Sequence, residues 1–139
     1  MGPLLKEVQK HYGDDKASIV FKHFPLSFHK DAQLASEATM AANAQGKFWE
    51  MHDKIFANQK QIKRPDLDRY AEEIGLDVAK FKAALDNGEF TARVQADMAE
   101  GQKAGVRGTP SIYVNGRKYQ GQRDAQAMIA VIDKEIVNK

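Results

Sequence analysis

The sequence predicts an α/β domain, and three observations carry that prediction. A helical pattern at the start is followed by a short run rich in β-branched and aromatic residues, Ala17 to Phe24, closed by Pro25. Asn115-Gly116 joins two short strand-like segments, Ile112 to Val114 and Arg117 to Gln120. This pair suits a type I′ turn, which needs positive φ at both central residues, so the two segments should form an antiparallel hairpin. Between Lys30 and Gly105 the periodicity is almost wholly helical. The expected order is helix, strand, helical block, strand, strand, helix.

Each element has its own local reason. Pro3 suits a first helical turn, and Leu4, Leu5, Val8 and Tyr12 recur at helical spacing before Gly13, Asp14 and Asp15 end the helix. In the helical block, Leu34, Ala38, Ala41 and Ala42 make a narrow small-residue face that admits another helix closely, and Gly46 stops it. Phe48, Trp49, Met51, His52, Ile55 and Phe56 form the most aromatic helix, which places the centre of the core there. Arg64-Pro65-Asp66 opens a helix with Leu67, Tyr70, Ala71 and Ile74 as its stripe. Asp77 caps a helix carrying Val78, Phe81 and Leu85, and Phe90, Val94 and Met98 mark the next. After the hairpin, Arg123 or Asp124 starts a final helix with Met128, Ile129, Val131, Ile132 and Ile136 inward.

A chain of 139 residues suits a single domain with a real core. The 21 basic and 19 acidic residues are well mixed, so no nucleic-acid surface is expected. No apolar run is long enough to cross a bilayer, and the N-terminus lacks a signal-peptide pattern, which makes a cytoplasmic location the default expectation. There is no cysteine. Disulfides, thiol nucleophiles and dithiol redox chemistry all need a sulfur that this chain does not supply.

Residues 21–32, Phe-Lys-His-Phe-Pro-Leu-Ser-Phe-His-Lys-Asp-Ala, and residues 41–56, Ala-Ala-Asn-Ala-Gln-Gly-Lys-Phe-Trp-Glu-Met-His-Asp-Lys-Ile-Phe, resemble the DsbA-like thiol-disulfide oxidoreductases. Residues 105–116, Gly-Val-Arg-Gly-Thr-Pro-Ser-Ile-Tyr-Val-Asn-Gly, are similar to the Thr-cis-Pro loop and strand of that family. The resemblance implies a thioredoxin-like fold over residues 1–139 with a helical insertion at about 30–104. In that family an opening strand leads into a Cys-x-x-Cys pair at a helix N-terminus, where the helix end favours the thiolate. Here the chain starts at Met1-Gly2-Pro3, so the expectation is an N-terminally truncated, redox-inactive member lacking the opening strand. Its absence would leave the edges of Ala17–Phe24 and Ser111–Val114 exposed, and self-association through them, as a homodimer, is expected. The family is usually periplasmic or exported.

The resemblance also implies that Arg107, Gly108, Thr109 and Pro110 form a peptide-binding loop, one that takes an extended peptide by strand-like hydrogen bonds. A purely structural loop is the other reading. His23, His29 and His52 have no second histidine or carboxylate at i+4, and zinc needs three converging ligands, so neither a metal nor any other cofactor is expected. Phe48, Trp49, Phe56, Tyr70, Phe81 and Phe90 read as core. The resulting functional expectation is a non-catalytic binding or structural module. The alternative is part of a thiol-disulfide oxidoreductase whose Cys-x-x-Cys lies upstream, and a glutathione-conjugating or isomerase relative is a third, weaker reading.

Overall fold

The helix with the most buried residues presents a face of alanines to its neighbours. In the computed structural model, which describes residues 2–13 and 15–137, α2 (Ala32–Asn43) buries Ala35, Ala38, Ala41 and Ala42. The chain divides into two compact units, Lys22–Gly105 and the pair of segments Met1–Phe21 with Val106–Lys139. Met1 and Asp14, both invoked in the sequence reading, lie outside the described residues.

In the Lys22–Gly105 unit, α2 is followed by α3 (Phe48–Ala57), α4 (Arg64–Glu73), α5 (Val78–Asp86) and α6 (Thr91–Lys103). All four pack on α2, because side chains no larger than a methyl let neighbouring helices approach closely. Met51, Leu67, Phe81 and Val94 fill the remaining space and are the largest wholly buried side chains. The end of α2 follows the sequence signal. Gly46 has φ 76°, the Lys47 N–H donates to the Ala42 carbonyl at 2.9 Å, and the Gly46 N–H donates to Asn43 at 2.9 Å, which is the Schellman pattern. The same pair of bonds ends α4 and α5. Two loops are then tied together by Gln45, whose side-chain oxygen accepts from the Asp77 N–H at 2.8 Å while its amide donates to the Asp77 carbonyl at 3.2 Å.

Two expectations for this unit are corrected. The aromatic helix is not the centre of the core: Trp49 is 41% and Phe56 49% exposed. The alanine face of α2 draws the packing to itself and leaves α3 to bury only Met51, His52 and Ile55. On α6 the buried pair is Val94 and Asp97, not Val94 and Met98. The Asp97 carboxylate accepts the His23 backbone N–H at 3.0 Å and lies 3.6 Å from Arg93, so a carboxylate is buried where its hydrogen bond and counter-ion go with it.

The second unit holds α1 (Gly2–Tyr12), β1 (Tyr113–Val114), β2 (Arg117–Lys118) and α7 (Ala125–Val137). Val8, Ala125 and Met128 form its core, with Leu4, Leu5, Ile112, Tyr119, Ile129 and Ile132 packed around them. The Tyr12 hydroxyl lies 2.7 Å from Asp133 and 2.9 Å from the Ile129 carbonyl, joining α1 to α7. Desolvation and the neighbouring carboxylate push that phenol up to about 12. Asp124 starts α7 by accepting the Ala127 N–H at 2.8 Å. Val131 and Ile136, expected inward, are 36% and 41% exposed.

Residues 17–24 form no strand. Their β-rich composition describes a chain that can extend, but a strand exists only where a neighbour pairs its backbone, and the sheet among the described residues has two strands, β1 and β2. Val20 within that stretch is 71% exposed. One of the two edges expected to drive self-association is therefore not formed as a strand.

The turn and antiparallel pairing of the hairpin agree with the sequence, while its strands, Tyr113–Val114 and Arg117–Lys118, are shorter than the expected Ile112–Val114 and Arg117–Gln120. Asn115 has φ 47° and Gly116 φ 81°, and Tyr113 faces Lys118 while Val114 faces Arg117 in an antiparallel register. Gly116→Ala should therefore cost about 1–2 kcal/mol, since a β-carbon is forced into left-handed backbone. Amide hydrogen exchange at Tyr113 and Lys118 will read the loss, and unchanged protection would show that the turn does not hold the hairpin.

Candidate functional site

The loop that precedes β1 and the strand that returns from it face each other across a cleft. The Ser111 hydroxyl donates to the Gly108 carbonyl at 2.7 Å, folding the chain tightly around Thr109 and Pro110, whose peptide bond is cis. On the other side, the Tyr119 N–H donates to the Ile112 carbonyl at 2.8 Å. That bond continues the Tyr113–Lys118 register by one residue on each strand and ties Tyr119 to the base of the loop.

Past Tyr119 the chain bends sharply. The Tyr119 hydroxyl donates to the Gln122 carbonyl, and a β-carbon placed on Gly121 would lie 2.7 Å from that hydroxyl oxygen and 2.8 Å from the ring carbon that bears it. Only glycine lets the backbone pass so near the ring.

The cleft so formed has a volume of about 430 Å³, and Arg107, Gly108, Thr109 and Pro110 all line it. The structure thus brings together every residue the resemblance assigned to the loop. It adds Lys118, Tyr119 and Arg123 from the far wall. The hairpin register carried a signal for Tyr119, because an Asn115-Gly116 turn sets Ile112 opposite it. No local pattern marked Arg123. Arg107, Thr109, Pro110, Lys118 and Arg123 are exposed, while Gly108 and Tyr119 are half-buried. Three of the lining residues are cationic and none is acidic.

Of the histidines in the helical unit, His23 and His52 are buried in packing while His29 is exposed. His23 is buried, with its Nε2 3.4 Å from the Thr39 hydroxyl, and its ring meets Phe48 edge-on. Burial pushes its imidazole down to about 4; Asp97 acts against this, while Arg93 and His52 add to it. His52 stacks on Phe56 with centroids 4.4 Å apart, and its Nδ1 lies 3.2 Å from Asp53. Among the described residues no three His, Asp or Glu side chains converge as a metal site would require.

Comparison with known proteins gives two consistent findings. Residues 2–134 match the family model described as Thioredoxin. The chain is also 37% identical over 131 residues to the Na(+)/H(+) antiporter NhaA 3 of Salinispora tropica, covering 94% of this chain and 20% of that protein. It is 37% identical to the Na(+)/H(+) antiporter NhaA of Herminiimonas arsenicoxydans (91% of this chain, 20% of that protein). Against the Na(+)/H(+) antiporter NhaA 1 of Salinispora arenicola it is 39% identical (81% and 18%). The chain spans about a fifth of the length of these curated relatives. No solved structure matches it.

Proposed function

The chain belongs to the thioredoxin family, and from that premise we propose that it is a DsbA-like domain without redox chemistry that docks an extended peptide at the Thr109–Pro110 cleft. The observation that carries this reading is that the Arg107–Pro110 loop lines one exposed cleft opposite Lys118, Tyr119 and Arg123, in a chain with no cysteine. The cleft offers backbone and hydroxyl groups suited to strand-like pairing, and nothing in the chain can form a mixed disulfide. In this reading the Lys22–Gly105 unit is the helical insertion of one thioredoxin-like domain spanning residues 1–139.

The antiporter relatives give the reading a setting. Ion transport across a bilayer needs spanning helices of about 20 apolar residues, and among the described residues no helix is long and apolar enough to cross a membrane. In a protein of that kind this chain would serve as an accessory domain and not as the ion path. Self-association through strand edges is the other partner reading. It is disfavoured at β2, where Arg117 and Lys118 are exposed and a second copy would bring like charges together. A light-scattering mass of two chains at micromolar concentration would restore it.

Two measurements test the proposal. The chain should reduce insulin no faster than buffer with dithiothreitol alone, and turnover above that background would overturn the non-redox reading. In NMR titration with a panel of extended peptides, shifts should map to Thr109, Ser111 and Tyr119. Shifts confined to other surfaces, or no binding by any peptide, would leave the loop a structural one.

A further inference from the structure

Building on that docking reading, we propose that the peptide taken by the cleft is acidic, an extended segment whose carboxylates meet Arg107, Lys118 and Arg123. Some cations elsewhere in the chain have an acidic partner. Lys22 lies 3.3 Å from Glu100, Lys54 2.8 Å from Glu73, and Arg64 2.9 Å from Asp68 and 2.7 Å from Asp86. Even Arg117, adjacent to the cleft-lining Lys118, reaches Glu135 at 3.2 Å. What sets Arg107, Lys118 and Arg123 apart is their placement: all three line the same 430 Å³ cleft, which no carboxylate lines, and among the described residues none of the three forms an ion pair. With 21 basic residues against 19 acidic ones the chain is nearly balanced, so this concentration of charge is local.

The shape of the cleft favours a peptide over a flat anionic surface. Gly108 and Gly121 carry no side chain into it, and Thr109, Pro110 and Tyr119 form its walls. An extended segment presents alternate side chains to one face, so acids at every second position would reach the cations while the backbone pairs with the loop. Each exposed charge pair contributes modestly, about two- to fivefold in affinity, and three together give roughly tenfold or more.

The test uses the intact chain and three short labelled peptides, alternating Glu and Val, Gln and Val, or Lys and Val. The Glu peptide should bind about tenfold tighter than the Gln peptide, and the difference should shrink at roughly 0.5 M salt, where screening acts over a few ångströms. Arg107→Glu combined with Arg123→Glu should abolish the preference. Both side chains are exposed, and a circular dichroism spectrum checks that the variant is folded. Lys10→Glu combined with Lys134→Glu, both exposed, makes the same change in net charge and should leave the preference intact, which separates local from net charge. Equal binding of the Glu and Gln peptides would overturn the acidic preference and leave the docking reading standing. Failure of every peptide to bind would overturn both. Binding to phosphatidylglycerol vesicles, lost in the same double variant and without peptide preference, would assign the cations to a lipid surface and overturn the proposal.

Discussion

Replacing Phe81 with alanine is expected to destabilise the Lys22–Gly105 unit by about 3–5 kcal/mol. Phe81 is wholly buried and is the largest such side chain. It packs in a core whose neighbours on α2 are alanines, which have no rotamer that could swing into the vacated space. The cavity would therefore persist, and cavities that cannot collapse give the upper part of the range. Against a total stability of about 5–15 kcal/mol for a typical domain, the loss is large. Urea denaturation followed by the fluorescence of Trp49, the sole tryptophan and part of the same unit, reads it directly. Phe81→Leu should recover much of the loss; an Ala variant with an unshifted midpoint would show that the site is not the keystone its burial implies.

The second large effect is acid destabilisation of the same unit through His23. Its imidazole titrates near 6.5 when unfolded and is held down to about 4 in the fold, first by burial, with Arg93 and His52 adding to the effect and Asp97 opposing it. Above about pH 6.5 neither state carries the proton and the site costs nothing. Between 6.5 and 4 the unfolded chain takes up a proton that the folded chain refuses, so stability falls as the pH drops, and below 4 the loss is complete. The full span corresponds to about 3 kcal/mol. Urea midpoints at about pH 7, 5.5 and 4.5 should fall steeply in the natural chain and more gently in His23→Gln, which keeps a polar side chain near Thr39 but does not titrate. Parallel slopes would assign the acid sensitivity elsewhere.

What the sequence made legible was local chemistry. Asn115-Gly116 announced its turn because few residue pairs accept two positive φ angles. Asp77 announced a helix start, and its carboxylate accepts the Lys80 N–H at 3.1 Å. Gly46 announced a helix end, and it has positive φ. What stayed hidden depended on partners distant in sequence. Residues 17–24 have strand composition but no ladder among the described residues, since pairing is not encoded in the segment itself. No local pattern marked Asp97 for burial, because the His23 N–H that it accepts is 74 positions away. The candidate site divides the same way. Arg107 to Pro110 were legible through a family resemblance, whereas Arg123 joins them only because Gly121 lets the chain turn past the Tyr119 ring.

The alanine face of α2 has a consequence for how this protein can vary. Ordering Ala35, Ala38, Ala41 and Ala42 freezes no side-chain rotamers, so the centre of the helical unit is assembled at little entropic cost and holds its geometry through backbone proximity. The same economy leaves no slack. A methylene added at Ala38 or Ala42, both 0% exposed, has no alternative rotamer to take and must push helices apart. Sequence drift at these α2 positions is therefore confined to the smallest residues, and adaptation to new partners falls to exposed positions such as Arg107, Lys118 and Arg123, where a side chain can change without moving a helix.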